Sequence, residues 1–236
     1  MRKFCCYITI LLLMGCSHSN TVKKMESSKT ITDIFNKAEI KDLAVIVDFF
    51  NAQICAAQKN EKTTIAESYQ RFFEWMKSCE VTGQMDVRIP YQEQQKMYSL
   101  LSDSTFNQIW RIDHSLIRVE RYDYDADTIE KKELVYVGKY LTFLKAFGQE
   151  NSVVESCYNN LIQIGDYIPI VCMGLIMREY EQLDIEDVRT QLFLAMHFLT
   201  LNDATEDSEK FNRDAVYRSY YYSPGTLAKA SKELKE

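Results

Sequence analysis

Apolar positions recur three and four residues apart along most of this chain, the period of helices that bury one face. Leu43, Ile46, Phe50 and Ile54 predict a helix from about Lys41 to Ala57. Ile65, Tyr69, Phe72, Met76 and Cys79 form a second stripe, and Thr64 with Glu67 has the spacing of a capping box at its start. A third helix is expected from Pro90 through Met97, Leu100 and Leu101, with a break at 102–104 before Phe106, Ile109 and Trp110. From Arg111 to Thr128 the helical period disappears, and the alternation of Ile117 and Val119 with polar residues reads as a loop with at most a short strand.

Helical spacing returns at Leu134, Val137, Leu141, Leu144 and Phe147 and stops at Gly148. Asn151 or Ser152 caps the next helix, which carries Val154, Cys157, Tyr158 and Leu161 and ends at Gly165. Pro169 opens a helix that is apolar on nearly every side, and Asp184 with Asp187 opens another through Leu192, Ala195 and Leu199. A separate tail helix follows from Ser208, with Phe211, Ala215, Tyr217 and Tyr221. The expectation is all-α, one multi-helix domain of seven to nine helices. The last hairpins are compatible with a stack of helical pairs, although no signature residues repeat between them.

The first sixteen residues have a different organisation. Arg2 and Lys3 precede an apolar run from Phe4 to Met14, followed by Gly15 and Cys16. The run is about half the ~20 residues needed to cross a bilayer, so it reads as the core of a secretion signal. The segment Leu13-Met14-Gly15-Cys16 resembles the lipobox of bacterial lipoproteins, with Met14 larger than the residue usual at that place. The resemblance implies cleavage after Gly15 and attachment of fatty acyl chains such as palmitate to Cys16. In that family an aspartate after the cysteine often means retention at the inner membrane. Ser17 therefore points to the outer membrane.

The organisation expected is a signal peptide over 1–15, a lipidated flexible tether over 16–30 and an α-helical globular domain over 31–236. Such a tether would let the domain ride roughly 20 Å from the lipid. Of 28 basic and 34 acidic residues, Arg2 and Lys3 leave with the signal, so the remainder carries a formal excess of eight negative charges. Nucleic acid is excluded as a natural partner, and lipid rather than charge must hold the protein on an anionic membrane.

Four cysteines remain beyond Cys16. Cys55 with Cys79, and Cys157 with Cys172, have the spacing of disulfides between consecutive helices, and an oxidising envelope permits both. Four small apolar core residues fit the same positions equally well.

Candidate chemistry is sparse. Asp123, Asp125 and Asp127 are spaced like the first ligands of a calcium loop, with Glu133 as a further carboxylate. The pattern then fails, because Thr128 and Leu134 stand where such a loop needs Gly and Glu. Beyond the tether only His114 and His197 are available for zinc, and His197 lies inside an apolar run that suits a packing residue. Glu67-Ser68 is superficially similar to lytic transglycosylases, but the glycine-rich and Met-Gln segments of that family are missing and Glu67 already serves as a cap. Tyr217, Tyr220, Tyr221 and Tyr222 crowd one helix end, where exposed rings would suit a protein partner or a sugar. No resident cofactor is implied apart from the covalent lipid.

These residues point to a membrane-anchored envelope lipoprotein with a non-catalytic binding domain, for example an immunity-type protein that neutralises a toxin. The competing expectation is an envelope enzyme or glycan-handling protein.

Overall fold

The computed structural model describes residues 18–57, 63–82, 86–117, 127–135, 137–165 and 168–221; for 113–117, 127–131 and 206–221 it describes backbone alone. The fold is all-α, and among the described residues it is interrupted only by one two-stranded hairpin. In chain order the elements are α1 (18–27), α2 (Lys29–Thr32), α3 (Lys37–Ala56), α4 (Ile65–Thr82), α5 (Tyr91–Tyr98) and α6 (Asp103–Phe106). Strands β1 (Trp110–Ile117) and β2 (Asp127–Leu134) follow, then α7 (Lys139–Gly148), α8 (Ser152–Ile164), α9 (Pro169–Glu179), a 3-10 turn at Tyr180–Gln182 and α10 (Val188–Tyr221).

The centre of the molecule is α10. Every residue from Thr190 to Asp203 is buried, because α3, α5, α9 and β2 pack around it. Phe198 lies at the middle of this stretch, stacked on Phe50 of α3 at 6.2 Å and edge-on to Phe72 of α4 at 4.7 Å. One apolar core thereby runs from Met25 to Leu201. In a stack of helical pairs each repeat touches only its neighbours. Here α10 packs on α3, distant in sequence, so the helices wrap a central rod rather than stack in a row.

Local signals place most helix ends. Asn36 accepts from the backbone N–H groups of Ala38 and Glu39, while its own N–H donates to Glu39 Oε2, completing a capping box. Thr64 and Glu67 cap α4 in the expected way, at 2.8 and 3.2 Å. Asn151 caps α8, Gly165 ends it in the left-handed conformation at φ 71°, and Pro169 opens α9. Pro90 is the residue before α5 rather than its first turn.

Three expectations need correction. Leu134 belongs to β2, so α7 starts later, at Lys139. The helix expected to end near Leu199 and the separate tail helix are one element, α10, because Asn202 and Asp203 are buried inside it instead of closing it. Residues 18–30, read as a flexible tether, are largely helical. In α1, Met25 is fully buried, Thr21 Oγ1 donates to Asp48 Oδ1 at 2.6 Å and His18 Nδ1 lies 3.0 Å from Asp48 Oδ2. One methionine and one carboxylate on the facing helix dock this segment; a polar composition conceals them.

Polar residues spaced around α3 fasten its neighbours. Glu39 accepts from Lys139 Nζ at 2.8 and 2.7 Å, tying in α7. Asp42 accepts from the hydroxyls of Ser102 and Thr105, each at 2.6 Å, tying in α6. Asp48 holds α1, and Asn51 joins Tyr69 of α4 to Gln191 of α10.

Burial in α10 also fixes the charge state of His197, whose pKa falls from 6.5 to about 3 because the imidazolium would be desolvated beside Phe193. The unfolded chain binds a proton that the folded chain refuses, so stability is intact above pH 6.5 and falls as pH drops toward about 3. At pH 4.5 this residue alone favours unfolding by about 2–3 kcal/mol. Urea titrations at pH 7 and pH 4.5 should show that His197→Leu loses about that much of the acid sensitivity of the parent protein. An unchanged difference between the two pH values would mean that the ring takes up its proton without unfolding.

Candidate functional site

A connected cluster of buried polar side chains lies where α5 and β2 meet the buried part of α10. Asp203 sits at its centre, 1% exposed. Tyr98 Oη donates to Asp203 Oδ2 at 2.7 Å, Gln95 Nε2 donates to Oδ1 at 3.0 Å, and Lys132 Nζ of β2 stands 4.0 Å from Oδ1. Lys132 also lies over the rings of Tyr98 and Tyr91, at 5.5 and 5.9 Å. Gln94 donates to Tyr98 Oη and to the Leu199 carbonyl, and its own side-chain oxygen accepts from Asn202. Asn202 also donates to the Ile89 carbonyl, and one turn earlier the Trp110 indole N–H donates to Thr200 Oγ1 at 2.8 Å.

The chemistry available to this cluster is structural. Burial, and then the Asp203 carboxylate, push the Tyr98 hydroxyl well above its usual value of 10, so it keeps its proton at physiological pH. A general acid or base works best with a pKa near the operating pH, and Tyr98 is far from it. Asp203 already faces three donors, two from α5 and one from β2. The cluster fastens α5 and β2 to α10 in one register.

A second group lies under the α8–α9 hairpin. Cys157 and Cys172 are buried, with Cys157 Sγ 3.9 Å from the Cys172 carbonyl. The nearby Tyr140 hydroxyl is buried without a hydrogen-bond partner among the described residues, and desolvation raises its pKa well above 10. All four cysteines stand as free thiols in this structure, with neither pair weighed from spacing joined. Cys55 faces Ser68 Oγ at 3.3 Å and Cys79 faces the Asp86 carbonyl at 3.8 Å, which separates the first pair onto different partners.

The other expected site residues fall apart. Asp123 and Asp125 lie outside the described residues. Asp127 opens β2 and Glu133 lies six residues along the same strand, which separates them by about 20 Å. Glu133 accepts from Arg111 Nη2 across the hairpin at 2.8 Å. One calcium ion cannot take both carboxylates. Among the described residues no group of three or more His, Cys, Asp or Glu could hold a metal ion. Tyr217, Tyr220 and Tyr221 lie on α10 where backbone alone is described, and Tyr222 and Cys16 lie outside the described residues. His114 lies on β1, backbone only, while His197 is a core residue.

Sequence reasoning missed two features. One is the Asp203 cluster, for which the signal available was the i, i+4 placement of Gln94 and Tyr98 on the short α5. The other is an exposed aliphatic end on the α8–α9 hairpin, where Ile162, Ile164, Ile170 and Val171 flank the turn at Gly165, each at least 37% exposed. Among the described residues no helix is long and apolar enough to cross a membrane. Comparison with protein-family models, curated proteins and solved structures returns no match.

Two measurements probe these sites. Asp203→Ala leaves Tyr98, Gln95 and Lys132 facing a buried position with no acceptor, so stability should fall by about 3–5 kcal/mol in urea titration. A loss under about 1 kcal/mol would show that the cluster does not hold α5 and β2 in place. Thiol titration of the denatured domain over 18–236 should find four reactive cysteines, whereas a count of two would mean that one pair is bridged.

Proposed function

We propose that this protein is a bacterial envelope lipoprotein, anchored through acyl chains on Cys16, whose helical domain binds another protein without catalysing a reaction. The observation that carries the anchor is the order of charge, apolar run, Gly15 and Cys16 at the N-terminus. Two or three acyl chains at ~0.8 kcal/mol per buried CH₂ give durable attachment, where a single chain gives only marginal residence. Ser17 in place of an aspartate favours the outer membrane.

Two features support binding over catalysis. The buried polar side chains Asp203, Glu39 and Asn202 make hydrogen bonds or ion pairs that join one helix to another. The aliphatic end of the α8–α9 hairpin presents Ile162, Ile164 and Ile170 to solvent, the kind of surface that a partner covers. An acidic body of this kind suits a basic partner, and an immunity-type role, in which the domain blocks an incoming toxin, is a concrete form of the reading.

Replacing Cys16 with Ser should move the protein from the membrane fraction to the soluble fraction, and unchanged retention would refute the anchor. Pull-down with the domain from envelope extract should then recover a stoichiometric protein partner, and Ile164→Lys with Ile170→Lys should abolish capture. Hydrolysis of an envelope polymer by the purified domain, without a partner, would reverse the reading in favour of an enzyme.

A further inference from the structure

The N-terminal segment is docked on the body, and this constrains how any anchor at Cys16 can hold it. We infer that α1 is a rigid mount that seats this end of the domain directly on an anionic phospholipid surface, an inference that rests on lipidation of Cys16. His18 and Thr21 both meet Asp48 of α3, and Met25 is fully buried one turn further on. Cys16 is only two residues before His18. Two residues of fully extended chain span at most about 7 Å. The headgroup layer of one leaflet is itself roughly 6 Å thick, so a lipid on Cys16 brings the start of α1 to the headgroups.

The surface presented there fits that partner. Lys23 and Lys24 are exposed on α1, five and six residues beyond His18, which is about 8–9 Å along the helix axis, and Glu26 is the one exposed acid of this helix, leaving it a net positive end. That distance is comparable with the Debye length of about 8 Å at physiological ionic strength, so both ammonium groups feel an anionic headgroup layer. The rest of the chain is acidic and is repelled by the same layer. Attraction at the mount and repulsion elsewhere orient the body with α1 down. A polar tether of the same composition would give no orientation and would let the body swing roughly 20 Å outward.

The test uses the mature protein reconstituted in vesicles and planar bilayers of phosphatidylethanolamine with phosphatidylglycerol. Hydrogen exchange should be at least about 100-fold slower over residues 18–27 than in an unstructured chain. Neutron reflectivity should place the protein layer against the headgroups, and inserting twelve Gly/Ser residues between Ser17 and His18 should open a hydrated gap of about 20 Å. Asp48→Ala should speed exchange over 18–27 roughly tenfold while leaving the amides of α10 unchanged. With Cys16 acylated by mass spectrometry, coil-like exchange over 18–27, or a native layer set back as far as that of the insertion variant, overturns the mount alone. An unmodified Cys16 thiol overturns the anchor and the mount together.

Discussion

A helix with no solvent side has to find a partner for every polar group it carries, and α10 has no solvent side for about four turns. Its apolar residues supply most of the burial, yet an apolar rod among apolar neighbours could rotate or slide with little change in contact. Directional bonds remove that freedom. Gln191 meets Asn51, Thr200 receives the Trp110 indole, Asn202 meets Ile89 and Gln94, and Asp203 receives Tyr98 and Gln95. One bond goes to α3, one to β1 and three to α5, so together they set the position of these elements around the rod.

The same division of labour holds one layer out. On its buried side α3 contributes Leu43, Ile46, Val47 and Phe50 to the core. Glu39, Asp42 and Asp48 of the same helix each receive donors from a different element. Glu39 serves twice, as the partner that completes the Asn36 cap and as the acceptor for Lys139. At 7% side-chain exposure it is shielded enough for that pair to matter more than a surface ion pair would. Gly138, immediately before Lys139, takes φ 115°, and a Cβ there would approach Gln108 Oε1 to 3.1 Å. Glycine is therefore required where the chain leaves β2 to start α7.

What could be read from the sequence was whatever is encoded locally. The stripe from Ile65 to Cys79, the Thr64–Glu67 cap, Asn151, Gly165 and Pro169 each act within a few residues, and each appears where its pattern put it. The failures share one cause: a polar residue whose partner is remote. Asn202 and Asp203 look like the exposed end of an apolar run, and only α5 makes them interior. Thr21 and His18 look like tether residues, and only Asp48 makes them a docking face. The β1–β2 hairpin pairs Trp110 with Leu134, a register that the weak alternation over this stretch did not announce. For Asp127 and Glu133 the relation is the converse. This pair is close in sequence, but an extended strand holds its members apart.

These constraints bear on how a binding protein of this kind would work. If the interior polar groups serve architecture, recognition belongs to the surface, and where that surface stands relative to the membrane decides which partners can reach it. On the proposed anchor, the acyl chains supply the free energy of attachment and the two-residue link to α1 supplies the orientation. A body free to swing samples partners at any height within its leash, whereas one seated on its first helix meets only those that arrive at the headgroup plane. Orientation also lowers the entropic cost of forming a complex, because one partner is already held in a fixed attitude. An acidic domain above an anionic membrane gains in the same way, since the like charge that would push it away instead turns its far side outward, toward whatever crosses the envelope.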